Sequence, residues 1–119
     1  MADTAADLVL VTGAGGFLGS HVVKRLVADG RAVRAFVRPS TNVAGLSGLP
    51  ISWAYGDVTD RDAVFAAMDG VTSVIHCVVN TQAWLRDPAP MYRVNVDGLT
   101  HVMDAALVHG ITRFVLTST

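Results

Sequence analysis

Five short apolar runs alternate with longer segments of helical periodicity along this chain, and this alternation limits the folds available to it. The runs have the length of β-strands and lie at residues 8–12, 32–37, 51–55, 73–79 and 113–117. Because no hairpin-turn signal separates them, consecutive strands are predicted to run parallel, joined by right-handed crossovers. We therefore predict an α/β fold with a doubly wound parallel sheet, strand order 3-2-1-4-5, that is truncated after its fifth strand.

The segments between the runs carry the apolar spacing of amphipathic helices. Three helices are predicted, and a glycine follows or closes each of them, at residues 18–30, 59–70 and 91–109. Their apolar stripes include Leu18 and Met103. The stretches 38–50 and 80–90 are predicted to be loops, the first with one short helical turn.

Composition narrows the class of protein. At 119 residues the chain is one domain at most, residues 1–119, and its 51% apolar and 16% charged residues suit a sheet buried on both faces. A net charge of −1 gives no argument for a nucleic-acid partner. No segment has the length of a membrane span or the pattern of a signal peptide. The single cysteine cannot form an internal disulfide, so we expect a cytoplasmic protein without a membrane partner.

A glycine-rich loop follows the first predicted strand, with four glycines in the seven positions from Gly13 to Gly19. A Walker-type phosphate loop requires Gly-Lys-Ser/Thr, and the only lysine of the chain, Lys24, follows Val23. The spacing G-x-G-x-x-G is also excluded, because position 18 is a leucine. The spacing that fits is T-G-x-x-G-x-x-G, beginning at Thr12.

This spacing predicts a dinucleotide site. Gly13 lets the chain turn off the first strand, Gly16 leaves room for a pyrophosphate against the backbone, and Gly19 lets the helix approach closely. The amides around Phe17 and Leu18 lie at the positive end of the helix, where they can hold phosphate oxygens. The alternative is a glycine-rich turn without a ligand. We favour the binding site because the motif lies between a predicted strand and a predicted helix.

Arg38 indicates which dinucleotide is bound. NAD-preferring sites place an acidic residue at the end of the second strand, but here Arg38 lies 19 positions after Gly19 with no acid beside it. A guanidinium at this point suits the 2′-phosphate of NADP, so NADP is the predicted cofactor and NAD the alternative. Arg38 could also be an ordinary solvated loop arginine.

With these motifs placed, nearly the whole chain resembles the N-terminal part of an extended short-chain dehydrogenase/reductase. This is the family of NAD(P)-dependent epimerases, dehydratases and reductases, whose cofactor domain is a Rossmann fold. TGAGGFLG resembles its cofactor loop, and NVDG and RFVLTST resemble a later helix start and the fifth strand. Gly56-Asp57-Val58 and VIHCVV resemble its adenine and nicotinamide-ribose segments, which implies cofactor contacts at Asp57, Val58 and Val78. Within the family, the sequences of these motifs are most similar to those of dihydroflavonol-type reductases, 3β-hydroxysteroid dehydrogenases and hopanoid-associated sugar epimerases.

The resemblance also implies a catalytic role for Thr119, which aligns with the Ser/Thr that orients the substrate carbonyl or hydroxyl. The Tyr-x-x-x-Lys acid/base pair of the family is absent, because Thr59 and Val96 lie four positions after the two tyrosines. We therefore expect the front part of an NADP-dependent reductase or epimerase that acts on a small-molecule substrate, with a homodimer plausible for the parent. The alternatives are a non-catalytic NADP(H)-binding regulatory module and a fragment without independent function.

No metal site is predicted. His76 and Cys77 are adjacent on a strand and point to opposite faces, and His101 and His109 lie two helical turns apart. Cys77 is predicted to be a buried residue of apolar character. The resemblance implies that Asn95 supports its helix through water or backbone contacts.

Overall fold

The computed structural model describes residues 7–80 and 86–117, and within them the chain forms a five-stranded sheet. All adjacent strands are parallel, and their order is β3-β2-β1-β4-β5, which confirms the predicted doubly wound topology. The strands are β1 Leu8–Thr12, β2 Ala32–Val37, β3 Ser52–Tyr55, β4 Ser73–His76 and β5 Arg113–Leu116.

The helices connect the strands on both faces of the sheet. They are α1 Phe17–Ala28, a 3₁₀ turn Ala44–Leu46, α2 Arg61–Ala67, α3 Ala89–Tyr92, a π-helical segment Arg93–Gly98 and α4 Leu99–Val108. The helix predicted over residues 91–109 is confirmed. The chain is helical through this region, but its winding changes to π before it becomes regular.

The apolar core lies in two layers, because successive strand residues point to opposite faces of the sheet. The layer against α2 and α4 contains mainly Leu10, Phe36, Val58, Val64, Met68, Val74 and Val102. The layer against α1 and the 3₁₀ turn contains mainly Val9, Val11, Val23, Val33, Val37 and Leu46. Two residues of the predicted apolar stripes are exposed: Leu18 at 48% and Met103 at 49%.

Strand β4 is shorter than predicted, since it ends at His76 rather than at residue 79. The N–H of Cys77 still donates to the carbonyl of Thr12, 3.3 Å away, but the following residues leave the sheet. This departure opens space beside the carboxyl end of β1, where the doubly wound topology reverses direction.

Candidate functional site

A cavity of about 520 Å³ lies at the carboxyl ends of β1, β2 and β4. Its walls are the glycine loop, the end of β2 with the turn that follows, the segment after β3, the segment after β4, and Val94. In open α/β sheets, ligands bind outside the carboxyl ends of the strands at the point where the strand order reverses. The cavity therefore lies where the fold itself predicts a ligand.

Gly13 shapes the floor of this cavity. Its φ of +65° is in the left-handed region, which side chains other than glycine rarely adopt. A Cβ atom here would also lie 3.0 Å from the carbonyl carbon of Cys77 and 3.0 Å from the nitrogen of Val78. The glycine loop and the segment after β4 are thus in backbone contact, and no larger residue fits between them.

The start of α1 packs equally closely on the loop. A Cβ at Gly19 would overlap the carbonyl oxygen of Gly13. The first hydrogen bond of the helix runs from the N–H of Ser20 to the carbonyl of Gly16, so the amides of Phe17 and Leu18 precede the bonded part of the helix. Such amides, at the positive end of a helix of 12 residues, are suited to binding anionic oxygens.

The turn after β2 supplies the cation of the cavity. Arg38 is exposed at the end of β2, and its carbonyl accepts a hydrogen bond of 2.9 Å from the N–H of Thr41. Thr41 contacts the glycine loop closely enough that its methyl group would overlap a Cβ at Gly15. Within residues 7–80 and 86–117, no carboxylate lies within ion-pair distance of Arg38, so its guanidinium is available to an anionic ligand.

The segment after β3 forms a further wall. One carboxylate oxygen of Asp57 accepts hydrogen bonds from the N–H and the hydroxyl of Thr59, at 3.0 and 2.9 Å. Val58 is buried, and its carbonyl oxygen lies 2.9 Å from Nδ1 of His101 on α4. The segment is therefore held both by its own turn and by α4.

A buried polar pair joins the ends of β1 and β4 beneath the cavity. Oγ1 of Thr12 lies 2.7 Å from Nδ1 of His76, and it also accepts a hydrogen bond of 3.1 Å from the N–H of Cys77. Burial lowers the pKa of His76 to about 4, because the charged imidazolium would lose its hydration. His76 is therefore neutral at pH 7, and it serves as a hydrogen-bonding partner for the strand end.

The segment after β4 lies between the glycine loop and the π-helical segment. Val78 is half-buried and Val79 is 64% exposed, and both line the cavity. The side-chain amide of Asn95 forms two hydrogen bonds with the backbone of Asn80. Burial raises the pKa of the Cys77 thiol, which favours its neutral form.

The structure brings six of the predicted cofactor residues to this one cavity: Gly13, Gly16, Arg38, Asp57, Val58 and Val78. Phe17, Leu18 and Gly19 lie at the start of α1 beside the cavity rather than on its lining, and the Phe17 side chain is 85% exposed. The predicted catalytic residue, Thr119, lies outside the described residues.

Several residues of the site were not singled out by the sequence analysis. Thr41 lies only three positions after Arg38 in the sequence, and this closeness could have indicated that Thr41 also lies at the cavity. Asn80 and Val94 reach the cavity only through the packing of the π-helical segment against the end of β4, which no local pattern reveals. The Val58 contact of His101 was missed for the same reason.

The polar groups of the cavity suit a dinucleotide better than a metal ion. They are backbone amides at a helix start, a guanidinium and a turn that contains a carboxylate, and they lie at the carboxyl ends of neighbouring strands. In the part of the chain that the structure describes, no cluster of three or more His, Cys, Asp or Glu side chains is placed to hold a metal ion. No helix among these residues is long and apolar enough to span a membrane.

Comparisons with known proteins agree with this geometry. Residues 9–119 match the model of the NAD dependent epimerase/dehydratase family. The sterol demethylase protein B of Methylococcus capsulatus is 40% identical over 92% of this chain and 33% of its own length. The 3 beta-hydroxysteroid dehydrogenase/Delta 5-->4-isomerase of Mycobacterium tuberculosis is 33% identical over 97% of this chain and 32% of its own length.

A solved structure gives the same result at the level of the fold. The short-chain dehydrogenase/reductase superfamily protein of Agrobacterium tumefaciens, crystallised with bound NAD, superposes with a TM-score of 0.80 and 36% identity. The match covers 94% of this chain and 32% of that protein. The chain thus spans about a third of the length of the relatives that it matches. Its sequence, fold and cavity together show that it belongs to the NAD-dependent epimerase/dehydratase family of extended short-chain dehydrogenases/reductases.

Proposed function

We propose that this chain binds NADP(H) and forms the cofactor-binding part of a reductase or epimerase. The observation that carries the proposal is the position of Arg38, which lines the same cavity as the glycine loop. The amides at the start of α1, with Gly13 and Gly16, would hold the pyrophosphate. Asp57 and Val58 would contact the adenine, and Val78 the ribose on the nicotinamide side.

The charges of the cavity favour NADP over NAD. Its described lining contains one cation, Arg38, and one carboxylate, Asp57, which is engaged by Thr59. A guanidinium binds a phosphate through charge-assisted hydrogen bonds, whereas the 2′-hydroxyl of NAD offers no charge to pair with. At the end of β2, the described lining contains no acidic residue to accept hydrogen bonds from that hydroxyl.

The contribution of this chain to catalysis would be binding and orientation. A bound nicotinamide supplies reversible hydride transfer to or from a carbinol or ketone carbon. We propose that Thr119 orients the reacting oxygen of a small-molecule substrate. The sequence contains no Tyr-x-x-x-Lys pair, so we propose cofactor binding rather than turnover as the activity of these 119 residues. The single cysteine fits a reducing compartment, and we assign the protein to the cytoplasm.

Titration of the purified protein with NADPH and NADH, followed by fluorescence, tests the proposal. We expect NADPH to bind at least about tenfold more tightly than NADH, because one charge-assisted hydrogen bond changes the affinity by about this factor. The variant Arg38→Gln should weaken NADPH binding by about tenfold and leave NADH binding unchanged.

Arg31→Gln is the matched control, because Arg31 is an exposed arginine just before the opposite end of the same strand. It should leave both affinities within about twofold of the original. A folded protein that binds neither nucleotide would overturn the proposed function. Equal affinity for the two nucleotides would overturn the NADP preference alone.

A further inference from the structure

Helix α4 holds the predicted adenine wall of the cavity through a side chain that lies outside the cavity. Nδ1 of His101 is 2.9 Å from the carbonyl oxygen of Val58, in a partly buried position. A carbonyl oxygen only accepts hydrogen bonds, so Nδ1 carries the proton and donates it. The bond joins residues 43 positions apart in the sequence, and it therefore fixes tertiary placement rather than local conformation.

The side chain of Val58 makes a second contact, with the backbone directly before α4. A Cβ atom at Gly98 would lie 2.7 Å from Cγ2 of Val58 and 3.1 Å from its Cβ. The side chain of Val58 thus packs directly on the helix backbone where the π-helical segment meets α4. Val58, a buried core residue, thus contacts the helical region at two points, its side chain on Gly98 and its carbonyl on His101.

The start of the segment is tied to β2, because the N–H of Gly56 donates to the carbonyl of Val37 at 3.0 Å, and the residues after Val58 organise their own turn. Asp57 accepts two hydrogen bonds from Thr59, and the Asp60 side chain caps α2 by accepting from two backbone amides of its first turn. These contacts are local and would persist wherever the segment lay. The ion pair of Arg61 with Asp104 also reaches α4, but both side chains are about half exposed, and such pairs contribute little.

We propose that His101 is a positioning residue for nucleotide binding, which fixes the Asp57–Val58 wall at the distance that the adenosine part of the cofactor requires. The inference rests on the proposed function, since it deepens the account of the same cavity. His101 does not line the cavity, so it acts through the Val58 carbonyl rather than through contact with the ligand. Loss of the bond would let the wall shift, and shifts well below 1 Å suffice to weaken hydrogen bonds to a base.

The experiment compares variants that differ in the donor. His101→Leu removes it, whereas His101→Asn keeps an N–H at nearly the same place, because the Asn amide nitrogen is attached to Cγ as Nδ1 is. We expect His101→Leu to weaken binding of 2′,5′-ADP and NADPH by about three- to tenfold, the effect of one hydrogen bond. His101→Asn should restore affinity to within about twofold.

His109→Leu is the matched control, because Nδ1 of His109 bonds to the carbonyl of Ala105 within the same helix and away from the cavity. It should leave both affinities within about twofold of the original. Amide hydrogen exchange of Val58 and Thr59 in the ligand-free protein supplies a second readout, and it should accelerate in His101→Leu alone. If the leucine variant does not fold, His101→Gln replaces it, since its amide lies one methylene farther out and should bind more weakly than His101→Asn.

The outcomes separate the two proposals. If the unmodified protein binds no nucleotide, the proposed function fails and this inference fails with it. If it binds NADPH while the donor-deleting variant retains full affinity and unchanged exchange at Val58, the role of His101 is overturned and the function of the cavity stands. Equal losses in the His101→Leu and His101→Asn variants would also overturn it, because the donor would then not be the cause.

Discussion

Asn95 and Asn80 are joined by two hydrogen bonds across the edge of the cavity. The N–H of Asn80 donates to Oδ1 of Asn95 at 2.8 Å, and Nδ2 of Asn95 donates to the carbonyl of Asn80 at 3.0 Å. Asn95 lies in the π-helical segment, and π turns inside helices are frequent at functional sites. The pair fixes the end of the segment after β4, which carries Val78 and Val79 into the cavity wall.

Replacing Asn95 by Ala should destabilise the protein by about 1–3 kcal/mol, because the partly buried N–H and carbonyl of Asn80 lose these partners. Equilibrium unfolding in urea measures the change. Asn42→Ala is the control, since Asn42 accepts a single hydrogen bond from the N–H of Ala44 in an exposed turn. A loss for Asn95→Ala no larger than that for Asn42→Ala would show that the pair adds no more to stability than one exposed hydrogen bond in a turn.

The close approach of Gly19 to Gly13 predicts that Gly19→Ala is damaging, although alanine is the better helix former. The added Cβ would overlap the carbonyl oxygen of Gly13, so either the helix or the glycine loop must shift. We expect a loss of about 1–3 kcal/mol in the free energy of unfolding, as for other overpacked sites, with weaker NADPH binding.

Gly45→Ala is the control for this substitution. The nearest atom to a Cβ at Gly45 is Nζ of Lys24, 4.0 Å away, so the change meets no obstacle. Thermal unfolding and NADPH titration of the two variants should therefore diverge. Equal stability of the two would show that the loop adapts to a methyl group at low cost.

The buried His76 predicts a pH dependence of stability. Its pKa is lowered from 6.5 to about 4 in the folded protein, so below pH 6.5 the unfolded chain binds a proton that the folded chain does not. Stability is therefore lost as the pH falls from about 6.5 to about 4, and the contribution of this group reaches about 3 kcal/mol.

His76→Asn removes the titration and keeps an oxygen that can accept from the hydroxyl of Thr12. The difference in unfolding free energy between the original protein and this variant should shift by about 3 kcal/mol in favour of the variant between pH 7 and pH 4. Urea unfolding at several pH values gives this difference. A constant difference across that range would mean that His76 titrates alike in both states.

The strand order and the glycine loop were predictable because both depend on local patterns. The alternation of apolar runs with helical segments determines the parallel crossovers, and the spacing of Gly13, Gly16 and Gly19 determines the loop between β1 and α1. The position of Arg38 beside the glycine loop was predictable too, since the end of β2 lies next to that loop in any sheet of this order.

The contacts that complete the site depend on the packing of distant elements. Asn95 reaches Asn80, and His101 reaches Val58, only because the helical region winds as a π-helix before α4 and lies against both segments. A regular helix over the same residues would present these side chains in another direction, so a periodicity argument cannot reach them. The ends of the strands were also misjudged, since the apolar run through Val79 continues past the point where β4 leaves the sheet.

Cys77 offers a chemical test of where the nucleotide binds. It is the only cysteine in the sequence, and it lines the cavity beside Gly13. Burial raises the pKa of its thiol, so the reactive thiolate is scarce, and alkylation by iodoacetamide at pH 8 should be slower than in the urea-unfolded chain.

NADPH at about ten times its dissociation constant should slow the reaction of the folded protein by a further factor of about ten, because few molecules then have an open cavity. Arg38→Gln at the same NADPH concentration is the control, and its weaker binding should give correspondingly less protection. An alkylation rate that NADPH leaves unchanged, while fluorescence shows the nucleotide bound, would mean that the bound nucleotide does not cover the Cys77 thiol.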